Sequence, residues 1–491
     1  MNNLPQEIIE RIVSFLPGGS SAEWSVEDEN HPTSQYAVIS NKFCAAIERS
    51  MFKRLRINNE ELETFAQVLT PSRRGFLRFL SYSIVLPPVD EAVSHRYERP
   101  AETKAVKEER ELKLYEEIDE FPEYRDLRSR INLLAPNVLP RLTFISRLVM
   151  SDFDRRLTSS VQIDLAARMP GLQALDLVSA SNEVRYPGVL RKDRCILASA
   201  LKLRSEETKK ISVATLDMSV NDGDGALHQL LPMPDLIYPS GYDPLGSSLR
   251  TWSQRLTNFV VKGVVNEALF WPHALETTSS HPQWLNLKDF YVQLERHTPS
   301  GWWYFMPKGK PKFGTPPRNP AEDPNDLPQL FTDNPIDGAD PFDKWDEYDW
   351  DCERGYAMPV EDFFTRNFPN EDTMQPLLEG WAKALRSMPS LQRATLAFKV
   401  EIPDSRSSDE DNVSWDDWEV IYESPESTSS YVWERNLAAG ERSSRRLTFH
   451  NTRGWRPNRN TMDLLQRIGE DSYPETKLVV LAVNEWKEVL R

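Results

Sequence analysis

Cysteine and long apolar runs are scarce in this sequence, which has three cysteines among 491 residues: Cys44, Cys195 and Cys352. They stand far apart without the paired spacing of a zinc site, and such scarcity is typical of a reducing compartment. No stretch of about 18 apolar residues is present, so we expect no membrane-spanning helix. The first residues lack the basic region and apolar core of a signal peptide. We therefore expect a cytoplasmic or nuclear protein without a membrane partner.

Basic residues are also fewer than acidic residues. The sequence has 59 Lys and Arg against 75 Asp and Glu, which gives a formal net charge of −16. Because nucleic-acid binding depends on clustered Lys and Arg that meet phosphates, we expect no nucleic-acid partner. The hydrophobic fraction of 39%, with 14 Trp and 21 Phe, is enough for a folded core in spite of 36 prolines.

Signatures of catalysis and of metal binding are missing as well. The sequence has no Gly-x-Ser-x-Gly elbow, no Walker loop, no Gly-x-Gly-x-x-Gly and no His-Glu-x-x-His. Residues 221–225, Asn-Asp-Gly-Asp-Gly, resemble part of a calcium loop, but Gln229 and Leu231 stand where that loop needs a bidentate glutamate. We therefore expect no catalytic residue, no cofactor and no metal site.

An amphipathic segment near the N-terminus is the most informative feature that is present. Between Leu4 and Leu16, apolar residues recur at helical spacing and polar residues occupy the other side. Pro5 suits the first position of a helix, where no amide hydrogen is needed, and Glu7 lies in the first turn, where negative charge favours the helix dipole. An apolar stripe this wide must be covered by the rest of the fold or by a partner.

Two further patterns follow this segment. Residues 36–43, Tyr-Ala-Val-Ile-Ser-Asn-Lys-Phe, lead into a run in which Phe43, Ile47 and Met51 repeat every four residues. That spacing predicts one face of a helix. Residues 55–57, Leu-Arg-Ile, then alternate as a first strand would.

This order of elements resembles the F-box, and in particular the F-box of the large group of fungal F-box proteins. The shared features are the opening Leu-Pro, the Ile pairs, the Tyr-Ala-x-x-Ser helix and the Ile-Glu-Arg of the third helix. Three positions depart from the family pattern: Ile39 replaces a common Val, Asn41 a common basic residue and Phe43 a common Trp. The connection 17–35 is longer than usual and acidic, which leaves the strength of adaptor binding open.

The resemblance implies an F-box domain at residues 1–57 that binds the Skp adaptor and, through it, a cullin scaffold. The protein would then be a non-enzymatic substrate-recognition subunit of an SCF-type E3 ubiquitin ligase, and residues 58–491 would bind an unknown target protein. The adaptor-facing positions that the resemblance implies are Leu4, Pro5, Ile8, Ile9, Ile12, Ile39, Ser40 and Phe43.

Two other functions remain open from the sequence. One is a repeat-protein interaction scaffold that uses the F-box outside a ubiquitin ligase, for which the long connection 17–35 and Asn41 are the support. The other is an α/β enzyme with a fortuitous N-terminal helix triplet, which the missing catalytic motifs make the least favoured.

A repeated sequence pattern, here called the sequence echo, indicates how residues 58–491 are organised. Residues 168–177, Arg-Met-Pro-Gly-Leu-Gln-Ala-Leu-Asp-Leu, match 387–396, Ser-Met-Pro-Ser-Leu-Gln-Arg-Ala-Thr-Leu, and each follows a helical run that proline ends. Looser strand-like segments recur at the spacing of solenoid repeats. They are residues 144–150, 210–218, 256–261, 285–292, 447–450 and 478–483.

We therefore predict an α/β fold in which a three-helix F-box precedes an irregular leucine-rich-repeat-like solenoid. In such an array each unit is buried against its neighbours, and the outward strand residues form the default binding surface. Proline and charge predict inserted loops at about 98–128, 307–372 and 404–417. A generic α/β domain with a parallel sheet and crossover helices is the alternative.

Overall fold

A computed structural model describes much of the chain, and its contacts divide the protein into two units. Unit 1 comprises residues 1–177 with 206–211, and unit 2 comprises 178–205 with 212–491. The boundary expected after residue 57 falls inside unit 1 and stays a prediction. The described residues are 4–14, 34–58, 67–68, 70–77, 79–83, 130–131, 141–143, 145–150, 156–178, 187–219, 233, 235–238, 240–276, 281–306, 366–403, 413–425, 427, 437 and 439–483.

Unit 1 begins with helices at the positions that the apolar spacing predicts. They are α1 (Gln6–Ser14), a 3-10 helix (Ser34–Ile39) and α2 (Asn41–Met51). Ser40 begins α2 because its hydroxyl accepts a hydrogen bond from the amide of Phe43 at 3.3 Å. The helices share a small apolar core of Ile9, Val13, Phe43, Ala46 and Ile47.

A short parallel sheet completes the described part of unit 1. Its strands pair in the order β1, β2, β4, β6, and β3 pairs separately with β5. Arg73 on α3 joins this sheet region to α2, because its guanidinium pairs with Glu48 at 2.6 Å and lies 4.8 Å from the ring centre of Phe52. The elements are β1 (Arg54–Asn58), α3 (Pro71–Arg74), β2 (Phe79–Ser83), β3 (Arg130–Ile131), β4 (Arg147–Met150), β5 (Arg156–Leu157), α4 (Ser159–Ala167) and β6 (Ala174–Val178).

Unit 2 contains a larger mixed sheet with strand order β7, β8, β9, β12, β13, β14, β15. The pairs are parallel except for β12–β13 and β13–β14, which are antiparallel. Its elements are α5 (Pro187–Leu203), β7 (Val213–Met218), α6 (Pro244–Ser253), β8 (Asn258–Gly263), a 3-10 helix (Glu267–Leu269), β9 (Asp289–Leu294), β10 (Phe305–Met306), β11 (Phe368–Pro369), α7 (Glu371–Arg386), β12 (Arg393–Pro403), β13 (Val413–Glu423), α8 (Ala439–Arg442), β14 (Arg445–His450), α9 (Arg459–Gln466) and β15 (Leu478–Val483).

The two halves of the sequence echo form the same local structure, each within its own unit. In unit 1, the amides of Gln173 and Ala174 both donate to the carbonyl of Ser146, at 2.8 and 3.0 Å. In unit 2, the amides of Gln392 and Arg393 both donate to the carbonyl of Lys288, at 2.8 and 3.0 Å. The leucines that follow the Met-Pro turn, Leu172 and Leu391, are buried.

The same entry geometry recurs at two other parallel strands of unit 2. The amides of Thr257 and Asn258 donate to the carbonyl of Ser212, and those of Lys288 and Asp289 donate to the carbonyl of Thr257. A shared carbonyl acceptor fixes the register at which each strand joins its predecessor. The predicted strands are thus present, and successive parallel strands of unit 2 begin in a repeated way.

Two of the loops were predicted with C-terminal boundaries that are too late, because regular structure begins before them. The third predicted loop, 98–128, lies outside the described residues. The segment 404–417 ends earlier than its acidic sequence indicates, because residues 413–417 pair with β12 as the first part of β13. The segment 307–372 also ends earlier, because 368–369 pair with β10 and α7 begins at Glu371. Residues 98–128, 307–365 and 404–412 are outside the described part of the chain.

A buried ion pair connects α5 to the start of α6 in unit 2. Asp243 caps α6 by accepting a hydrogen bond from the amide of Leu245 at 3.2 Å. Both of its carboxylate oxygens also accept from Arg194 on α5, each at 2.8 Å. Removing one member would leave a buried charge without its partner, so the pair fixes where the two helices meet.

Gly263 at the end of β8 should tolerate no side chain. Its φ is +135°, and a Cβ there would lie 2.6 Å from the carbonyl oxygen of Met218 on the neighbouring strand. We expect Gly263→Ala to destabilise unit 2 by about 3 kcal/mol, since strain and overpacking add. Urea denaturation of the full chain measures this.

Gly454→Ala is the matched control for that substitution. Gly454 also has a positive φ, +81°, but no atom lies within 4 Å of its added Cβ. Gly454→Ala should lower the free energy of unfolding by about 1 kcal/mol, because only the backbone conformation is unfavourable for alanine. Equal losses of stability in the two variants would show that the close contact with Met218 is not the reason for glycine at position 263.

Candidate interaction surfaces

Four exposed apolar side chains lie on the first two helical elements of unit 1, and together they are the first candidate surface, here called the N-terminal apolar patch. They are Ile8, Ile12, Val38 and Ile39, with exposed fractions of 45%, 38%, 88% and 44%. Exposed apolar side chains that cluster can mark an interaction surface, which makes these four residues candidates for one.

Helical geometry explains how α1 serves both its own core and this patch. Ile9 and Val13 are four residues apart and point into the core of unit 1. Ile8 and Ile12 are also four residues apart, but each is offset by one position, which turns them about 100° away from the core. The wide apolar stripe of the sequence is therefore divided between the fold and the surface.

The structure places the eight predicted adaptor-facing residues in different environments. Ile8, Ile12, Ile39 and Pro5 are exposed, whereas Leu4 and Ser40 are partly buried. Ile9 and Phe43 lie in the core with exposed fractions of 0% and 3%, so they support the helices from inside and cannot reach a partner.

Sequence analysis missed Val38 as a patch residue. It lies on the 3-10 helix 34–39, where three residues make one turn and exposure does not follow the α-helical spacing that was applied. The cue available in the sequence was its place in the Val-Ile pair directly before the capping Ser40.

Polar contacts hold the beginnings of α1 and α2 together. The ammonium of Lys42 donates to the carbonyl of Leu4 at 2.9 Å, and the side-chain amide of Gln6 donates to the carbonyl of Lys42 at 3.4 Å. Arg49 also pairs with Glu10, but both side chains are largely exposed and such pairs add little stability. The buried residues therefore set the geometry of the patch.

The second candidate surface is one face of the sheet of unit 2, here called the polar face. Because side chains alternate along a strand, each strand presents one set of residues to each face. The opposite face is covered: Phe259, Phe290 and Phe398 are buried there against rings from the segments that pack over them. On β7 to β13 the polar face carries, exposed or partly buried, Thr215, Asp217, Asn258, Lys262, Asp289, Tyr291, Gln293, Arg393, Lys399 and Asp417, whereas Thr395 and Glu419 on the same face are buried.

Side chains on the polar face contact one another across strands. Lys262 on β8 pairs with Asp217 on β7 at 3.0 Å, and the side-chain amide of Asn258 donates to Asp289 on β9 at 2.7 Å. Hydrogen bonding to Ser219 and to Lys262 outweighs burial and holds the pKa of Asp217 below its ordinary value. The carboxylate of Asp217 is thus fixed in its charged form at neutral pH.

Tyr291 lies half-buried near the middle of the polar face. Burial, followed by the nearby carboxylates of Glu419 and Asp417, raises the pKa of Tyr291 to about 12. Its hydroxyl is therefore neutral at physiological pH and donates to the side-chain oxygen of Gln293 at 3.3 Å. The arrangement provides donors and acceptors at fixed positions.

Within the described ranges, no group of three or more His, Cys, Asp or Glu side chains is placed to hold a metal ion. No helix in the same part of the chain is both long and apolar enough to cross a membrane. Comparisons of the sequence with protein-family models and with curated proteins, and a search of solved structures, give no match.

Opposite effects on folding are expected from neighbouring isoleucines of α1. Ile8→Asp combined with Ile12→Asp should change stability by no more than about 0.5 kcal/mol, because both side chains are exposed. Ile9→Asp should cost about 3 kcal/mol or more, since it places a carboxylate in the apolar core. Hydrogen exchange of the α1 and α2 amides in the full chain measures both, and similar protection in the two variants would contradict the placement of Ile9.

Proposed function

We propose that the protein is a substrate-recognition subunit of an SCF-type E3 ubiquitin ligase. The N-terminal helices bind the Skp adaptor through the N-terminal apolar patch, and the polar face of unit 2 binds the target protein. The observation that carries the proposal is the division of α1: Ile9 and Val13 stabilise the helices from within, while Ile8 and Ile12 stay available outside.

The four side chains of the patch can contribute to association with a partner. Burying one large aliphatic side chain stabilises a complex by about 1.5–3 kcal/mol. Four such side chains, already held by an ordered core beneath them, lose little conformational freedom on binding. This combination supports docking of a folded partner such as the adaptor.

The repeated strand entries support a leucine-rich-repeat-like array as the target-binding part. Three successive parallel junctions of unit 2 share the doubled hydrogen bond to one carbonyl, at Ser212, Thr257 and Lys288. Parallel strands that begin alike bring their outward side chains into rows. Such rows on the polar face offer a target many hydrogen-bonding groups on a rigid support.

The proposed activity requires no chemistry from this chain. A receptor that holds a target near a ubiquitin-charged enzyme raises the effective concentration of the target's lysines. What the chain contributes is two binding surfaces, one in each unit. The polar face accordingly needs affinity and shape, and it needs no titrating nucleophile.

Replacing Ile8 and Ile12 together by Asp should weaken binding of purified Skp adaptor more than about a hundredfold, because both burial energies are lost. Isothermal titration with the full-length protein measures the affinity. Leu203→Asp with Leu285→Asp is the control, since both leucines are exposed but lie in unit 2. Unchanged affinity in the Ile8/Ile12 variant would remove the adaptor assignment.

Substitutions on the polar face should separate target binding from adaptor binding. Asn258→Arg with Gln293→Arg places two long cations in adjacent strands and should abolish target recovery while adaptor recovery stays within about twofold. Affinity purification from the native cell, with the proteasome blocked, measures both. Arg386→Glu on the exposed side of α7 is the control.

The outcomes of that purification also distinguish the alternative function. Recovery of the adaptor together with a cullin supports the ligase, whereas recovery of the adaptor without the cullin favours a scaffold that works outside a ligase. If the polar-face variant retains its targets, recognition lies elsewhere on the chain.

A further inference from the structure

Arginine is concentrated in one stretch of this acidic chain. Residues 441–460 contain six arginines and a single acidic residue, Glu441, whereas the whole chain has a formal net charge of −16. Two of the six are buried on β14 and are used there. Arg445 donates to the carbonyl of Ile468 at 2.7 Å, and Arg446 pairs with Glu423 at 3.3 Å. The other four lie outside the strand.

The loop between β14 and α9 is fastened to α7 by polar contacts. The indole Nε1 of Trp455 donates to the carboxylate of Glu371 at 2.8 Å. The side-chain oxygen of Gln375 accepts from the amide of Asn458 at 3.3 Å and from the hydroxyl of Thr461 at 2.8 Å. The side chains of this loop therefore start from backbone positions that are set before a partner arrives, which lowers the conformational entropy lost on binding.

Arg456 lies in this loop with its guanidinium held at one end only. The guanidinium is 4.4 Å from the ring centre of Phe449, and Nη1 donates to the hydroxyl of Thr452 at 3.1 Å and to the carbonyl of Trp455 at 2.6 Å. Arginine has five N–H donors. In the part of the chain that the structure describes, Nε and Nη2 make no hydrogen bond. Burial lowers the pKa of Arg456, and no described carboxylate pairs with it.

Arg459 is the exposed first residue of α9. Positive charge in the first turn opposes the helix dipole, and no acidic residue is present in that turn. Its guanidinium makes no ion pair with a described residue, Asp463 one turn further along included. The amide of Thr461 is capped by Asn458 at 2.9 Å, so the helix end needs no further partner. Helix stability therefore gives no reason for an arginine here.

We propose that Arg456 and Arg459 form a binding site for a carboxylate-rich segment of a partner protein, on the loop between β14 and α9. A guanidinium offers a carboxylate two parallel hydrogen bonds, and its pairs with carboxylates are stronger than bonds between neutral groups. Two such groups three residues apart suit a segment with carboxylates on nearby residues. The site lies outside the polar face and does not depend on the ligase assignment.

The charge of the rest of the chain sharpens this choice of partner. An acidic segment is repelled by a protein with a net charge of −16, except where cations cluster. Complementary charge mainly provides specificity and a fast encounter. An acidic partner is therefore directed to the loop between β14 and α9.

Fluorescence anisotropy of a labelled peptide with about eight glutamates, added to the full-length protein at low salt, tests the site. Binding should weaken at least about tenfold when glutamine replaces glutamate, because the charged hydrogen bonds are lost, and it should also fall as salt is added. Failure of the glutamate peptide to bind at low salt overturns the proposal. So does binding of a phosphoserine peptide where the glutamate peptide does not bind, because the ligand would then be a phosphate.

Arg459→Glu should weaken peptide binding more than about tenfold, because it places a like charge opposite the carboxylates. The protein should be no less stable in thermal denaturation, since a glutamate in the first turn favours the helix dipole. A merely structural role for Arg459 predicts a loss of stability instead.

Arg467→Glu is the matched control, because Arg467 is exposed at the other end of α9 and the change in net charge is the same. It should leave the affinity for the peptide within about twofold, because the pairing acts at short range. An equal loss of affinity in the two variants would show that only net charge matters, and would overturn the proposal.

Arg456→Lys tests the second arginine. Lysine keeps the charge but lacks the planar fork of donors, so affinity for the glutamate peptide should fall about fivefold. Unchanged affinity would remove Arg456 from the site. If this variant does not fold, the comparison of Arg459→Glu with Arg467→Glu still decides whether the loop binds carboxylates.

Discussion

Phe259 and Phe290 stack on adjacent strands of unit 2 with their ring centres 5.7 Å apart, and the organisation of the unit depends on this buried row. Trp252 of α6 packs against Phe259, and Tyr304 and Phe305 both pack against Phe398 on β12. The rings gather on one face of the sheet at β8, β9 and β12, and the polar residues of these strands lie on the other face. At β14 that second face is covered as well, because Arg446 donates to the carbonyl of Arg442 on α8. The surface that we assign to target binding therefore lies at β7 to β9, where the polar side chains are partly buried or exposed.

The same principle acts on a smaller scale at the N-terminus. The core beneath α1 and α2 is too small to accept every apolar residue of α1, so one pair is buried and the offset pair remains outside. Arg73 stabilises this arrangement from the next element by contacting Glu48 and Phe52. Both candidate surfaces therefore consist of the residues that each element leaves outside its core.

The two surfaces differ in what they can recognise. The N-terminal apolar patch offers burial energy with little directionality, which suits one constant partner. The polar face offers donors, acceptors and opposed charges at fixed spacing, which suits discrimination between partners. This difference agrees with the proposal of one docking surface for an adaptor and another for a target.

Sequence periodicity alone indicated α1, α2, β1 and the strands β4, β6 to β9, β12, β14 and β15, because local spacing fixes which side chains can share a face. It did not indicate the parallel strands β2, β3 and β5. It also located the Met-Pro-x-Leu-Gln echo, whose two copies make the same turn and the same doubled hydrogen bond. Tertiary structure alone decided the rest. Residues 413–417, which include Asp416 and Asp417, became a strand because pairing with β12 outweighed their local preference, and Ile9 was separated from Ile8 because the core has room for one of them. The pairing of Glu419 with His450 joins residues 31 positions apart, and only the register of β13 with β14 brings them together.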